Sequence, residues 1–277
     1  MLVCLNGQFL SHEKAHVAVN DSAFLYGDSL FETIKARQQQ ILLLNSHLKR
    51  MEQAAQWLEF PFPREQITSA FNELAKRLTA PVSRIRLTLS RGSCQGLLYP
   101  APGQSWFLLT ATAYEEIDVH TRNQGLSCCL APNQRVNPFS HLPQCKHGNY
   151  ADCLYARNIA HKQQADEALF VDHSGNLLEG ATSNLFAVTG NQLVTPPLGN
   201  LVLNGIMRRQ VIAAARDLGI SCVEHPLPLA DVINTDEVFI CNSLIDLIPV
   251  KQIDGKTINR GEYWEEIYKH ISLRIDP

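Results

Sequence analysis

The sequence predicts a mixed α and β protein of two domains, an α+β domain followed by one in which strands and helices interleave in the α/β manner. Three observations carry this. The chain has 277 residues, more than one typical domain holds. Ser83–Ser90, SRIRLTLS, alternates polar and apolar residues with period two, whereas 48–58 and 64–78 carry apolar residues at helical spacing. Beyond residue 126, short apolar runs bounded by Gly and Asn turns alternate with helix-like stretches. We expect domains at 1–114 and 126–277, joined by the polar linker 115–125.

In chain order, 2–5 and 8–11 read as a hairpin closed by Asn6-Gly7. Strands follow at 28–37 and 40–44. A helix spans 48–58, with Asn45 or Ser46 as its N-cap and Pro61 and Pro63 beyond its end. The helix 64–78 and the strands 83–90 and 106–114 complete the first domain, whose sheet is expected to be largely antiparallel. In the second domain a strand at 126–131 leads through a loop containing Pro138 and Pro143 to Lys146. A helix is expected from Asn149 to about Gln164. Strands at 167–172, 176–178, 184–188 and 192–195 are separated by turns at 173–175 and 189–191. A helix at 206–218, a strand at 221–224, a helical stretch at 229–232, strands at 237–241 and 248–253, and a helix at 262–273 finish the chain.

Composition narrows the function. Charged residues are 18% and hydrophobic ones 45%, enough apolar material for two cores. A net charge of -3 without a basic run points to small molecules rather than nucleic acid as partners. The eight cysteines show no C-x-x-C spacing and several sit in apolar runs, so free buried thiols are expected. No window offers the roughly 18 apolar residues of a membrane span. The N-terminal segment is too polar for a signal peptide, and a cytoplasmic protein is expected. His141, His147, His161 and His173 form no H-x-x-x-H or H-E-x-x-H pattern, so no metal site is expected. A G-x-S-x-G elbow and a P-loop are both absent.

Two residues 33 positions apart carry the chemistry. Lys146 opens a helix-like run, and Glu179 closes a hairpin before the small-residue turn Gly180-Ala181-Thr182-Ser183-Asn184. An amine able to form a Schiff base and a carboxylate able to keep a pyridine nitrogen protonated are what a pyridoxal phosphate enzyme requires. Asn204-Gly205-Ile206-Met207 opens a helix where backbone amides can face an anion, though an ordinary N-cap reads the same way. Ser243 lies beyond a strand end as a hydroxyl donor or simply as a polar terminus. Arg50 is an anion ligand or a solvated arginine.

Taken together, Y-G-D-S-L-F-E-T (26–33), N-S-H-L-K-R (45–50), K-H-G-N-Y (146–150), D-E-A-L-F-V-D (166–172), E-G-A-T-S-N-L-F (179–186), L-N-G-I-M-R (203–208) and C-N-S-L-I-D-L-I-P-V (241–250) resemble the fold-type IV pyridoxal phosphate enzymes in order and spacing. That family includes branched-chain and D-amino-acid aminotransferases and 4-amino-4-deoxychorismate lyases. The resemblance implies the two-domain D-amino-acid aminotransferase-like fold, a homodimer, and a cofactor bound between the domains. It implies that Lys146 carries the cofactor and that Glu179 pairs with its pyridine nitrogen. Arg50, Gly205 with the Ile206 and Met207 amides, and Ser243 would hold the phosphate, and Tyr150 the phenolic oxygen.

The reaction is set by finer features. D-amino-acid aminotransferases have a tyrosine where this chain has Phe31 and an R-x-H motif after the strand-end arginine-glycine pair. Here the turn reads Arg91-Gly92-Ser93-Cys94-Gln95-Gly96-Leu97. The 203–208 and 241–244 motifs, Arg91-Gly92-Ser93, and Asn137-Pro138 resemble the lyases. Many lyases, however, carry an arginine at the position of Tyr150. The expected reaction is therefore conversion of 4-amino-4-deoxychorismate to 4-aminobenzoate and pyruvate. The alternatives are an aminotransferase acting on branched-chain or D-amino acids and a non-catalytic relative. Phe31 and Arg91 are the expected substrate contacts, and Lys35, Arg122, Arg135 and Arg157 are further candidates for carboxylate binding.

Overall fold

The computed structural model describes residues 1–137 and 145–276, so Pro138, His141 and Pro143 lie outside the described residues. Its contacts divide the chain into two compact units. One gathers 1–116 with 145–150 and 276, and the other gathers 117–137 with 151–275.

The first unit is built on a six-stranded antiparallel sheet. Its elements are β1 (Leu2–Leu5), β2 (Gln8–Leu10), α1 (Ser22–Tyr26), β3 (Ser29–Arg37), β4 (Gln40–Ile41), α2 (Leu44–Trp57), α3 (Arg64–Arg77), β5 (Val82–Ser90) and β6 (Trp106–Ala113). The strand order is β2-β1-β6-β5-β3-β4. Asn6 and Gly7 both adopt positive φ (49° and 84°), as a two-residue hairpin requires. β3 and β5 pair along nine residues, from Ser29 opposite Ser90 to Arg37 opposite Val82. Leu48, Met51, Ala54 and Ala55 of α2 are buried, as are Ile67, Ala70, Phe71 and Leu74 of α3.

Two stretches depart from the sequence reading in a way that bears on the site. The strand expected over 40–44 stops at Ile41, and α2 begins at Leu44, so Asn45 and Ser46 lie inside its first turn. The N-cap is Leu43, with φ 52° and no side-chain cap. The Leu42 N–H is taken by the Lys35 carbonyl at 2.9 Å, and the chain reverses immediately after it. Tertiary packing thus overrides the polar capping signal. The helix expected from Asn149 begins instead at Ala151, because 146–148 run extended along β3. The Phe31 N–H donates to the Lys146 carbonyl at 3.0 Å, and the Gly148 N–H donates to the Ser29 carbonyl at 2.7 Å. Leu30 and His147 form an isolated antiparallel bridge between these bonds.

The second unit contains α4 (Val119–Gln124), β7 (Leu126–Leu130), α5 (Ala151–Lys162), β8 (Glu167–Val171), β9 (Asn176–Gly180), β10 (Asn184–Thr189) and β11 (Gln192–Thr195). These are followed by α6 (Ile206–Asp217), β12 (Ser221–Glu224), β13 (Leu227–Pro228), α7 (Leu229–Val232), β14 (Glu237–Asn242), β15 (Asp246–Ile253), β16 (Lys256–Thr257) and α8 (Tyr263–Ile275). Residues 115–125, read as linker, hold the helix α4, capped by the Asp118 carboxylate on the Thr121 N–H at 2.9 Å. The sheet is mixed, in the order β12-β11-β10-β14-β15-β7-β8-β9-β13, with β16 on β15. β7 lies parallel to both β15 and β8, and β11 lies parallel to β12. Leu169, Leu185, Ala187, Val238, Ile240 and Ile248 form part of one continuous core. All eight cysteines are free thiols. Among the described residues no helix is long and apolar enough to cross a membrane.

The lysine segment leaves no room for a side chain at Gly148, where a Cβ would lie 2.2 Å from Ser29 Oγ and 2.8 Å from the Gly27 carbonyl. Gly148→Ala is expected to destabilise the protein by about 1–3 kcal/mol, the usual cost of overpacking. A urea unfolding curve unchanged by the substitution would show that this segment is not tightly docked.

Candidate active site

Backbone pairing with β3 fixes the Cα of Lys146, and its side chain runs onto two aromatic rings. Nζ lies 3.4 Å from Tyr150 Oη and 4.4 Å from the centre of the Phe31 ring. Phe31 and Tyr150 meet edge to face, with centroids 5.2 Å apart and planes at 87°. Phe31 sits opposite Thr88 on β5, so Arg86, two residues away, shares its face of the sheet. The Arg86 guanidinium lies 3.8 Å over the Phe31 ring while the residue keeps solvent-accessible surface. Burial of that head pulls its pKa down, and Tyr150 opposes the shift. Arg86 makes no ion pair among the described residues; its Nε donates to Thr88 Oγ1 at 3.3 Å.

Glu32 follows Phe31 on β3 and therefore points to the opposite face, where it meets α2. Its carboxylate is 1% exposed and accepts from Arg50 Nε at 2.8 Å and Nη2 at 2.6 Å. The third partner is His47 Nδ1 at 2.7 Å. Burial raises the Glu32 pKa, but the charges of Arg50 and His47 and their hydrogen bonds outweigh it and hold the group at about 2. Burial pulls the His47 pKa below its usual value, with Glu32 opposing. Arg50, expected on a phosphate, is thus oriented by a carboxylate from the neighbouring strand.

Arg91 is not among the groups around Lys146. Its Nε pairs with Asp28 at 3.0 Å, Nη1 donates to the Glu59 carbonyl at 2.8 Å, and Nη2 donates to the Leu58 carbonyl. The guanidinium is held between Phe60 and Tyr99 at 3.8 and 3.9 Å. A residue expected to touch substrate therefore ties off the C-terminal end of α2. The other candidate cations are also engaged. Lys35 pairs with Glu116 at 2.8 Å, Arg122 donates to the Ile245 carbonyl at 2.8 Å, and Arg157 donates to the Asp166 carbonyl.

In the second unit Glu179 lies near the end of β9, 5% exposed. Oε2 accepts from the Leu203 N–H at 2.8 Å and from Asn184 Nδ2 at 3.3 Å, and Oε1 accepts from Arg135 Nε at 3.2 Å. Arg135 in turn reaches Asp152 at 2.6 Å. The turn after Glu179 is braced by the buried Glu167, whose Oε2 accepts from Thr182 Oγ1 at 2.5 Å, Ser183 Oγ at 3.1 Å and the Thr182 N–H at 3.2 Å. Gly205 is the N-cap of α6 and supplies no side-chain acceptor for the first-turn amides of Ile206 and Met207. A Cβ at Gly205 would lie 2.0 Å from Asn184 Oδ1, so only glycine lets this helix start pack against the Glu179 turn. Ser243 follows β14 in a tight turn whose Leu244 and Ile245 amides donate to Asn242 Oδ1 at 2.8 and 2.9 Å.

Each unit thus offers groups of the kind a phosphorylated pyridine aldehyde binds: the first an amine beside aromatic rings and a fixed arginine, the second a buried carboxylate and an uncapped helix start lined by glycine. Among the described residues no group of His, Cys, Asp or Glu is arranged to hold a metal ion. Arg86, Glu32, His47 and Asp152 escaped the sequence reading as site residues, and Arg135 entered it only as a candidate for binding a substrate carboxylate, whereas its guanidinium is taken up by Glu179 and Asp152. Glu32 and His47 lie in motifs, but only the sheet register and the α2–β3 packing bring them together.

The profile of the amino-transferase class IV family matches residues 29–253, and the chain belongs to that family of pyridoxal phosphate-dependent enzymes. A Methanocaldococcus jannaschii protein provisionally named a branched-chain-amino-acid aminotransferase is 31% identical over 96% of this chain and 92% of its own. A branched-chain aminotransferase structure from the archaeon Thermoproteus uzoniensis, with norvaline, matches with TM-score 0.87 and 26% identity, covering 98% of this chain and 93% of that one. The 4-amino-4-deoxychorismate lyase structure from Pseudomonas aeruginosa matches with TM-score 0.89 and 25% identity over 100% of both chains.

Two outcomes follow from the ion pairs. Because the Glu32 pKa is depressed from 4.5 to about 2, its contribution is complete above 4.5 and lost as pH falls toward 2. Glu32→Gln is expected to cost on the order of 3 kcal/mol at pH 7. The gap between the urea midpoints of wild type and variant should close as pH falls through that window; a gap independent of pH would contradict the ion pair. Arg91→Ala is expected to lower thermal stability and leave KM for the substrate unchanged, and a raised KM with unchanged stability would return Arg91 to the substrate site.

Proposed function

We propose that the protein is an aminotransferase that moves the amino group of a small amino acid, of the branched-chain class, to a 2-oxo acid. The observation that carries this reading is the tyrosine hydroxyl of Tyr150 beside Lys146 Nζ. Many lyases of the family have an arginine there, whereas aminotransferases accommodate tyrosine. The motifs placed the lyase first; the 31% identity to the provisionally named branched-chain aminotransferase supports putting the aminotransferase ahead of it. Phe31 and the lack of an R-x-H turn argue against a D-amino-acid substrate.

The reading assigns each residue a task. Lys146 would hold the cofactor and move the substrate proton at Nζ, with Tyr150 orienting that amine. Glu179 would pair with the pyridine nitrogen. Arg50, the Ile206 and Met207 amides beside Gly205, and Ser243 hold the phosphate. When bound, pyridoxal phosphate supplies the electron sink for the carbanion at the substrate carbon. Arg86, a cation on the Phe31 ring without an ion pair among the described residues, receives a substrate carboxylate, and Phe31 presents an apolar face to the side chain. A homodimer in the cytoplasm accompanies this reading, in line with the family resemblance and the eight free thiols.

The second reading is the 4-amino-4-deoxychorismate lyase, favoured by the 203–208 and 241–244 motifs and by the equal length of the lyase structure. Parallel assays on the cofactor-loaded enzyme separate the two. Branched-chain L-amino acids with 2-oxoglutarate should yield the branched 2-oxo acid, lost completely in Lys146→Ala. Arg86→Ala should raise KM for 2-oxoglutarate roughly tenfold or more. Stoichiometric pyruvate and 4-aminobenzoate from 4-amino-4-deoxychorismate, with no 2-oxo acid formed from amino acids, would replace the aminotransferase reading by the lyase.

A further inference from the structure

Behind Glu179 stands a chain of buried charges that the reaction does not itself require. Arg135 is 7% exposed, although its neighbourhood in the sequence, Asn-Gln-Arg-Val-Asn, reads as a polar loop. Its Nε donates to Glu179 Oε1 at 3.2 Å, and Nη1 donates to Asp152 Oδ2 at 2.6 Å. Asp152 also accepts the Val136 N–H at 2.8 Å, which fixes the backbone beside the arginine. Burial works against the charge on Arg135, but Glu179 and Asp152 more than offset it and raise its pKa above the usual value. Burial likewise works against the Asp152 carboxylate, which the Val136 N–H and Arg135 hold below its usual range. Two carboxylates thus share one guanidinium, and the set carries one net negative charge.

We propose that Arg135 is a positioning residue for Glu179: its guanidinium keeps the carboxylate ionised and fixed in rotamer, so that a proton shared with the cofactor's pyridine nitrogen stays on nitrogen, and Asp152 serves as the counter-ion that orients Arg135. This rests on the assignment of Glu179 made above. A carboxylate buried beside a heteroaromatic base shares one proton with it, and a neighbouring cation favours the arrangement in which the carboxylate is the anion. The Leu203 and Asn184 donors occupy Oε2 and fix the direction of the group, but neither carries charge. Arg135 is the cation bonded to the other oxygen.

The test loads wild type and variants with pyridoxal phosphate labelled with 15N in the ring, reads the nitrogen resonance, and measures the cofactor dissociation constant and the unfolding temperature alongside. Wild type should give a pyridinium resonance. Arg135→Gln should move it toward the neutral pyridine position and weaken cofactor binding roughly tenfold or more. Arg135→Lys, which keeps a charge but cannot bond both acids, should give an intermediate position; it decides the matter if Arg135→Gln does not fold, since an unshifted resonance in Arg135→Lys then overturns the proposal. Asp152→Asn should lower the unfolding temperature yet keep the pyridinium resonance, because the cation remains at Glu179. A pyridinium resonance in wild type and Arg135→Gln alike overturns the role of Arg135 and leaves that of Glu179 intact. Equal shifts in Arg135→Gln and Asp152→Asn would mean that packing rather than charge is responsible. A neutral pyridine in wild type removes the Glu179 assignment, and this inference with it.

Discussion

The pairing of residues 146–148 with β3 is the constraint on which the first unit's chemistry depends. Two backbone hydrogen bonds, from the Phe31 N–H to the Lys146 carbonyl and from the Gly148 N–H to the Ser29 carbonyl, place the lysine beside the strand that carries Phe31. A lysine held only by a loop would sample many positions. Here the amine inherits the rigidity of a nine-residue strand pair. The same strand turns Glu32 toward α2 and so orients Arg50, and one element serves both the reactive amine and the cation proposed for the phosphate.

The second unit reaches comparable order by a different route. Around Glu179 the restraints are buried charges and side-chain bonds to turns: Arg135 with Asp152 behind the carboxylate, Glu167 beneath the turn, and Asn184 against Gly205. Buried ion pairs of this kind are weak contributors to net stability, since desolvation offsets much of the attraction. Their value lies in a single defined arrangement of groups with a fixed charge. A site that must hold a proton on one atom and not on its neighbour needs that definition more than it needs stability.

Most of the fold was legible because it is written in local periodicity. The alternation of SRIRLTLS, the apolar spacing of α2 and α3, and the Asn6-Gly7 and Ser174-Gly175 turns all report backbone state directly. The errors fell where long-range contacts decide. Leu43 caps α2 in a left-handed conformation that no propensity favours, and Asn149-Tyr150 stay outside the helix because β3 recruits the residues before them. Of the residues proposed for the site, Lys146, Glu179 and Arg50 stand out in the sequence as residue types in motifs, but the Glu32 partner of Arg50 does not. Arg91 and Arg135 show the limit: each is one arginine in a polar turn, and nothing within the turn says that the first ties off a helix and the second lies behind a buried carboxylate.

The alternation of β3 also has a bearing on how this chain can change over time. Phe31 and Glu32 are neighbours in sequence but serve opposite faces, and Ser29 and Leu30 are engaged by the lysine segment. Substitutions along 29–37 leave the assignment of residues to the two faces in place. Insertion or deletion of a single residue would exchange the two faces at once, setting the carboxylate against the amine and the ring against Arg50. A substitution in this strand is therefore a local change, whereas a change in its length is a change of both faces together, tolerated only in the loops beyond it.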